Sequence, residues 1–321
     1  MTQFLTFGET PLRLSPPANQ RLERASEMRL HADGVESNAA VAAHTLGAHT
    51  VWASILPDSP LGRRVRSQVD AQGVQTDITW VETGDCRQGL VFGESARAPR
   101  ESKRLHDRDG TPLASASPSD FPMHRVQDAE LLLSGVNTAV LSQASAESVT
   151  ALLRAGGGAG ARTVLALEYA PGLGSPEVYR GVFEELATHT DVVFGRESDI
   201  QQALGVDRRW RDLASHLTVE YGLDIAVVLR SGHGAAAFED SSRANVVHER
   251  ESIDVDPIDT AGEYGAVIGG FCDAMVHGDD TASALDAGLA AGALARSIEG
   301  PFLTTTAAEF EATRDLLVDG R

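Results

Sequence analysis

The sequence is almost without lysine, since Lys103 is the single lysine among 321 residues. Basic residues number 27 against 46 acidic ones, which leaves a formal net charge of −19. Such a surface repels nucleic acid phosphates and anionic membranes, so neither is an expected partner. Acid excess with so little lysine indicates a protein that stays soluble in very concentrated salt, and we interpret the source as a halophilic microbe. An ordinary acidic mesophilic enzyme would explain the charge but not the missing lysine.

Cysteine and long apolar runs are also scarce. Cys86 and Cys272 lie far apart without a CxxC pattern, so we expect small buried hydrophobic side chains rather than a disulfide or a metal site. No apolar run is long enough for a transmembrane helix, and the start of the chain lacks the pattern of a signal peptide. These absences predict a protein of the reducing cytoplasm.

Motifs of three common enzyme classes are missing. The ten histidines show no HExxH or similar spacing, so no metal site is predicted. No GxSxG pattern occurs, which argues against a hydrolase of that type. The glycine-rich residues 155–160 follow a helical stretch and precede a predicted strand, which is the reverse of a dinucleotide fingerprint.

The sequence does contain a regular alternation of apolar runs and alanine-rich helical stretches. Continuous apolar runs are typical of strands covered on both faces. Their alternation with helices predicts an α/β fold, a doubly wound and mostly parallel sheet in a single domain over residues 1–321. The predicted strands are 4–9, 50–56, 129–135, 162–169, 191–195 and 225–231, the predicted helices include 36–48 and 59–74, and 234–240 with 244–250 are predicted as a hairpin.

Two polar segments interrupt this alternation, residues 10–33 and 86–118. Both are rich in Arg, Pro and Ser. Because long loops are uncommon unless they are functional, we predict that parts of both segments form a small β-lid over the carboxyl edge of the sheet. Plain surface loops are the alternative.

Residues 32–48, "ADGVESNAAVAAHTLGA", are the most specific stretch. Gly34 allows close approach of the backbone, and Asn38 offers a donor and an acceptor at a helix start. With the segments that follow, this stretch resembles the ribokinase-like (PfkB) carbohydrate kinases, and among them most closely the 2-keto-3-deoxygluconate kinases. The resemblance covers nearly the whole chain and is carried further by residues 56–76, 86–92, 106–114, 131–143 and 191–205.

The resemblance implies a ribokinase-like fold, a ligand cleft and a homodimer formed through the lid. It places a sugar or sugar-acid site at Gly34, Asn38, Arg87 and Arg108. It places the phosphate and nucleotide side at Asp259, Thr260, Ala261, Gly262, Gly234 and Arg196. Three of these glycines (34, 234 and 262) also fit backbone turns, and Asn38 also fits a helix cap.

The family's "DTxGAGD" segment reads "DTAGEYG" in this chain, over residues 259–265. The position of the general base is Gly265, which cannot accept a proton. Glu263 adds a carboxylate to a loop that would bind a phosphoryl group, and Tyr264 replaces a glycine. Other departures from the family pattern are Glu168 and Ala170 in place of the Asn and Arg of "DxNYR", Arg196 in place of the Asn of "NxxE", and Ser231 in place of the first glycine of "GxxG".

We therefore predict a PfkB carbohydrate kinase-like protein whose ATP-dependent phosphoryl transfer is lost or severely reduced, and which acts by binding a ligand or a protein. The alternative is an active sugar or 2-keto-3-deoxygluconate-type kinase that uses Glu263, Asp259 or Glu168 as a relocated base. A different enzyme in the same cleft is a third interpretation. No catalytic residue is assigned, and Mg-ATP is a cofactor only under the kinase alternative.

The net charge of −19 gives a first prediction. We expect the protein to lose structure as KCl falls from molar to dilute concentration. The Debye length grows from about 3 Å at 1 M to about 10 Å at 0.1 M salt, so repulsion then reaches many more pairs of carboxylates. Circular dichroism across that range is the measurement, and equal stability in dilute buffer would contradict the halophilic interpretation.

Overall fold

A nine-stranded sheet organises the protein in the computed structural model, which describes residues 2–18, 20–84, 86–96, 99–121, 123–240 and 245–319. The strands are β1 (Thr2–Phe7), β2 (Leu12–Ser15), β3 (Arg29–Ala32), β4 (Thr50–Pro57), β5 (Gln75–Val81), β6 (Leu90–Glu94), β7 (Lys103–Asp107), β8 (Ala129–Gly135), β9 (Arg162–Leu167), β10 (Val192–Arg196), β11 (Ile225–Arg230), β12 (Gly234–Asp240) and β13 (Asn245–Arg250). The α-helices are α1 (Val35–Leu46), α2 (Pro60–Asp70), α3 (Met123–Gln127), α4 (Val136–Ala139), α5 (Gln143–Ala159), α6 (Pro176–Ala187), α7 (Glu197–Leu204), α8 (Trp210–Tyr221), α9 (Glu263–Val276), α10 (Thr281–Arg296) and α11 (Ala307–Asp319).

The strand order is β13-β12-β11-β10-β9-β8-β1-β4-β5. Every neighbouring pair from β11 through β5 is parallel, as with Phe4 beside Leu131 of β8 and beside Thr50 of β4. Strands β12 and β13 pair antiparallel and extend the sheet as the predicted hairpin, and residues 241–244 between them lie outside the described part. The predicted fold class, a mostly parallel α/β sheet, is confirmed.

Two predicted strands extend too far at their carboxyl ends. Strand β1 ends at Phe7 and strand β9 at Leu167, so Glu9 and Glu168 lie in the turns beyond them. The strand pairing ends at Phe7 and at Leu167, and the sequence pattern alone does not place that end. Strand β5 was not predicted, because it is an edge strand whose side chains are only partly buried and whose sequence mixes polar and apolar residues.

Helices cover both faces of the sheet, which is why the central strands are apolar on both sides. One core cluster packs α1, α9, α10 and α11 against the sheet. A second cluster packs α5, α6, α7 and α8 against the opposite face, and a third packs α2 beside β4. All eight residues of β4 are buried, as a strand covered on both faces requires.

Helices α1 and α9 approach each other closely because glycines of α9 face α1. A Cβ atom on Gly265 would lie 2.4 Å from Cβ of Asn38, and one on Gly269 would lie 2.4 Å from the carbonyl oxygen of Ala39. Neither contact can be relieved by turning a flexible side chain. The two glycines therefore set the distance between these helices.

A second, four-stranded sheet is built from the two polar segments, in the order β3-β2-β6-β7. We call it the small sheet. Its side chains reach the turns at the carboxyl ends of the main sheet: Arg13 of β2 bonds to Asp259, and Arg108, directly after β7, bonds to Glu9. Charged contacts thus fix the small sheet over the edge where parallel strands end.

Both cysteines are free thiols, but the expectation of burial holds for one of them only. Cys272 is buried in α9, whereas Cys86 is half-buried in the loop before β6, because that loop lies at the surface. In the described ranges, no helix combines the length and the apolarity that crossing a membrane would require.

The helix seam predicts a specific stability effect. Gly269→Ala would place a methyl group against Ala39 and Ala42 of α1, so we expect it to destabilise the protein by roughly 1–3 kcal/mol. Gly158→Ala in α5 is the matched control, because no atom lies within 4 Å of its added Cβ and the change should be neutral or stabilising. Urea unfolding in molar KCl measures both, and equal effects of the two variants would contradict close packing at the seam.

Candidate functional site

Polar side chains gather where the parallel strands end. Glu9 follows β1, Asn137 follows β8, Glu168 follows β9, Arg196 ends β10 and Ser231 follows β11. Carboxyl ends of parallel strands meet at one edge of a sheet, so these residues line a common cleft. The first turn of α1 and the loop before α9 complete it.

The inner part of the cleft is a cavity of about 50 Å³. Such a volume holds a few water molecules, or one end of a small ligand. Its lining is mostly polar and comes from the main sheet, α1, α9 and the small sheet. The lining residues are Glu9, Pro11, Asp33, Gly34, Val35, Glu36, Asn38, Val91, Arg104, His106, Arg108, Asn137, Glu168, Ala261, Tyr264 and Gly265.

The outer part is an open cleft of about 520 Å³ that adjoins this cavity. The two share Arg104, His106, Asn137 and Glu168 in their walls. A ligand of sugar size would therefore enter the inner cavity with one end and lie mostly in the outer cleft. The remaining outer wall consists of Ser102, Tyr169, Ala170, Pro171, Gly172, Arg196, Asp199, Ser231, Thr260 and Glu263.

Arg13 binds two carboxylates at once. Its Nε lies 3.1 Å from Asp33, and its Nη2 donates to Asp259 at 3.0 Å. Asp259 also accepts from the backbone N–H groups of Ala261 and Gly300. Burial alone would raise the pKa of Asp259, but the Arg13 hydrogen bond and these N–H groups lower it below its usual value.

Arg108 and Glu9 form a buried ion pair, with Nε 2.5 Å from Oε2. The other oxygen of Glu9, Oε1, is buried without a hydrogen-bond partner in the described part of the chain. Beside this pair, Glu36 accepts from Thr138 Oγ1 at 2.6 Å. Burial raises the pKa of Glu36 to about 7.

Arg196 also forms ion pairs with two carboxylates. Its Nη1 lies 2.9 Å from Glu168 and 3.3 Å from Asp199. Its guanidinium stacks on the ring of Tyr264 with 4.4 Å between Cζ and the ring centroid, and the Tyr264 hydroxyl donates to the carbonyl of Leu167. Tyr264 therefore has its own place between α9 and the strand ends, and it narrows the inner cavity.

The Glu263 carboxylate lies against the turn after β11. It accepts hydrogen bonds from the Ser231 hydroxyl and from the backbone N–H of Gly232, the latter at 3.3 Å. The Arg296 guanidinium lies 3.6 Å from it. Three donors that would suit an anionic ligand are thus directed at an acid of the chain itself.

The structure brings most of the predicted substrate residues together. Gly34, Asn38 and Arg108 all line the inner cavity. Asn38 does not cap α1, because Gly34 occupies the cap position; instead Asn38 Nδ2 donates to Asp33, and its Oδ1 is buried and unpartnered within the described residues. Arg87 is not brought to the cleft: it is exposed and pairs with Asp107 on the surface.

The six predicted phosphate-side residues fall into two groups and a single residue, Asp259, which is bound to Arg13 and lines neither part of the cleft. Thr260, Ala261 and Arg196 line the cleft. Gly234 and Gly262 have backbone reasons to be glycine, since Gly234 has a φ of 124° and a Cβ on Gly262 would lie 2.4 Å from the carbonyl oxygen of Pro301. Among the described residues, no group of three or more His, Cys, Asp or Glu side chains could hold a metal ion.

Several cleft residues were not predicted from the sequence, namely Glu9, Glu36, Arg104, His106 and Asn137, and neither was Arg13, which binds Asp33 and Asp259. Most of them directly follow a strand or lie in the two polar segments. A sequence signal existed only for Glu9, which ends the first apolar run, and for Glu36, which stands two residues before Asn38. The others depend on how the small sheet docks, which no local pattern encodes.

With this geometry established, comparison with known proteins identifies the family. The model of the pfkB family carbohydrate kinases matches residues 1–306. The chain belongs to the PfkB family. The predicted resemblance is thereby confirmed.

Individual PfkB relatives agree in type. A 2-dehydro-3-deoxygalactonokinase of Haloferax volcanii is 35% identical over 309 residues, which cover 96% of this chain and 95% of that protein. A 2-dehydro-3-deoxygluconokinase of Thermoproteus tenax is 25% identical, with 94% and 90% covered. The crystal structure of a 2-dehydro-3-deoxygluconokinase of Thermotoga maritima superposes with a TM-score of 0.88 at 23% identity, covering 98% of this chain and 100% of that one.

The raised pKa of Glu36 in this PfkB cleft predicts how stability depends on pH. In the unfolded chain Glu36 titrates near 4.5, and in the folded protein near 7. Between these values the folded protein keeps a proton that the unfolded chain has lost, so stability falls as pH rises. Glu36→Gln removes this titration. Relative to that variant, the free energy of unfolding of the wild type should fall by up to about 3 kcal/mol between pH 4.5 and 7.

Urea unfolding in molar KCl at a series of pH values measures this loss. Glu220→Gln, at an exposed position of α8, is the control and should follow the wild type. A constant difference between wild type and Glu36→Gln across the range would show that Glu36 does not retain its proton.

Proposed function

We propose that this PfkB protein binds a sugar-type ligand, a sugar acid, in the cleft, and that its transfer of a phosphoryl group to that ligand is lost or severely reduced. The observation that carries the proposal is the environment of Gly265. This position, where the family pattern has the general base, lacks a side chain and has no room for one.

Restoring an acid at this position would require the helices to move. An added Cβ would lie 2.4 Å from Asn38 Cβ and 3.2 Å from the backbone nitrogen of Ala39. Both atoms belong to α1 or are bonded directly to its backbone. Loss of a general base by itself costs about 10²- to 10⁴-fold in rate. The packing supports a loss that a single substitution does not reverse.

The residues on the phosphate side do not fit Mg-ATP well. The Ser231 hydroxyl, the Gly232 N–H and Arg296 already face the Glu263 carboxylate. A phosphate group there would have to displace that carboxylate or lie beside it, against charge repulsion. The donors of this region thus serve the chain's own carboxylate rather than a nucleotide phosphate.

The relocated bases that sequence reasoning considered are all engaged elsewhere. Glu263 accepts from Ser231, and Asp259 accepts from Arg13 and two backbone N–H groups. Glu168 is paired with Arg196. Burial alone would raise the pKa of Glu168, but the charge of Arg196 lowers it, and a carboxylate so stabilised is a weak proton acceptor.

A sugar-type ligand suits the inner cavity. Asn38 Oδ1 and Glu9 Oε1 are buried acceptors without partners in the described residues, and both residues line the cavity. Buried acceptors gain most from ligand hydroxyl groups, because leaving them unsatisfied is costly. The relatives named as 2-dehydro-3-deoxygalactonokinase and 2-dehydro-3-deoxygluconokinase support a sugar acid as the ligand class.

An active kinase is the second candidate, and Glu36 favours it. Glu36 lines the inner cavity together with Gly265, and its pKa of about 7 suits a general base. Under this alternative Mg-ATP is the co-substrate, the rate rises with pH through about 7, and Glu36→Gln abolishes it.

Three further expectations remain proposals. A cytoplasmic, halophilic protein is consistent with the acidic composition. A homodimer through the small sheet would cover Leu105 of β7, which is 57% exposed. A protein partner in place of a second copy would cover the same side chain, and solution mass measurements distinguish the two.

The central test concerns Gly265→Asp. We expect no ADP release above background from wild type or from Gly265→Asp, with 2-dehydro-3-deoxygalactonate, 2-dehydro-3-deoxygluconate and a panel of sugars. We expect at most weak release from the triple variant Glu263→Ala, Tyr264→Gly, Gly265→Asp. The reason is that Ala170 and Arg196 leave substrate and nucleotide without the family's positioning groups, and positioning supplies much of phosphoryl transfer.

Gly265→Ala is the matched control, because it adds the same Cβ without a carboxylate. Both single variants should lose stability by a similar amount, which separates the packing effect from the chemistry. Robust ADP release by the wild type would overturn the proposal. Full rescue by Gly265→Asp alone would show that the other departures are harmless.

A further inference from the structure

We infer that Arg104 of the small sheet takes the carboxylate of the sugar acid bound in the cleft, a role that Ala170 cannot fill. The inference rests on the proposed function and adds to it the group that makes the cleft selective for an acid.

Strand β7 presents alternate side chains to the cleft. Arg104 and His106, together with Arg108 just after the strand, line the cleft walls, whereas Lys103 and Leu105 line neither part. This alternation follows from the pleat of a strand. Neighbours on the same face are about 7 Å apart, a span that the carbon chain of a sugar acid bridges.

These three cleft-lining side chains differ in burial and in their partners, since Arg104 is exposed and Arg108 is buried. Arg108 is balanced by Glu9. Burial, then the charges of Arg108 and Arg104, lower the pKa of His106 to about 4, so this ring is neutral at pH 7. Its Nδ1 is buried without a partner in the described residues, which suits a ligand hydroxyl.

Arg104 lacks a carboxylate. In the described part of the chain, no carboxylate lies within ion-pair distance of its guanidinium. The other two arginines that line the inner cavity or the outer cleft, Arg108 and Arg196, are each paired with a carboxylate. Ala170 lines the same outer cleft and contributes no charge. Arg104 is therefore the cation that remains available to an anionic ligand there.

The surrounding charges make binding of an anionic ligand depend on Arg104. Glu168 and Asp199 share Arg196, which leaves one negative charge in excess at the wall of the outer cleft. An anionic ligand would be repelled there unless a further cation offset this excess. Burial alone would raise the pKa of Glu168, but the charges of Arg196 and then of Arg104 lower it below its usual value. The Arg104 charge therefore already acts at this wall.

The ligand orientation follows from these groups. Asn38 Oδ1 and Glu9 Oε1, which have no partner among the described residues, belong to the wall of the inner cavity and suit ligand hydroxyl groups. Arg104 lies where the inner cavity meets the outer cleft. The hydroxyl end therefore points inward, and the carboxylate points toward the small sheet.

Calorimetry in molar KCl tests the inference with 2-dehydro-3-deoxygalactonate, 2-dehydro-3-deoxygluconate and the uncharged amide of each. High salt suppresses long-range effects of charge, so a change in affinity there reports direct contact. We expect Arg104→Gln to weaken binding of the acids tenfold or more and to change binding of the amides less than about twofold. Arg104→Lys should retain part of the affinity for the acids.

Lys103→Gln is the matched control, because it removes the same charge one residue away on the outer face of β7. It should change neither the affinity for the acids nor the affinity for the amides. The inference would be overturned if Arg104→Gln left binding of the acids intact, or if Lys103→Gln weakened it equally. Either result would leave the proposed function in place. A wild type that binds neither acid would contradict both.

Discussion

The close approach of helix α9 to helix α1 is the constraint on which the rest of the site depends. Gly265 and Gly269 permit it, since a Cβ atom at either position would lie 2.4 Å from an atom of α1. The approach brings Asn38 against the start of α9 and closes the space where the family pattern has its base. Gly265 thus serves the packing of the core and also lines the inner cavity, so a side chain could be placed there only with a change in packing.

Shared cations hold the cleft in shape within a strongly acidic protein. Arg13 joins Asp33 to Asp259, and Arg196 joins Glu168 to Asp199. Each guanidinium has several donors in a fixed plane, so it can bind two carboxylates where a lysine would offer a single point of charge. These clusters keep an excess of negative charge at the site even after pairing. Concentrated salt would ease that excess for exposed acids, but much less for buried ones.

Sequence reasoning placed the fold and the loops of the site but not the partners of their side chains. The alternation of apolar runs encodes the parallel sheet, and the spacing from Gly34 to Asn38 encodes the first turn of α1. Arg87 and Arg108 looked equivalent in the sequence, yet one lies on the surface with Asp107 and the other is buried with Glu9. That difference arises from the docking of the small sheet on the main one, which is a contact between distant segments. The raised pKa of Glu36 likewise comes from tertiary burial.

Five of the departures from the family pattern contact one another, in two separate groups. Ser231, in place of a glycine, supplies the hydroxyl that donates to Glu263, itself in place of a small residue. Arg196 stacks on Tyr264, which replaces a glycine, and it also pairs with Glu168, which replaces an asparagine. Each of these polar side chains thus contacts another that departs from the family pattern. Because an unpaired buried polar group is costly, returning one of these positions alone to the family residue would leave its partner unsatisfied.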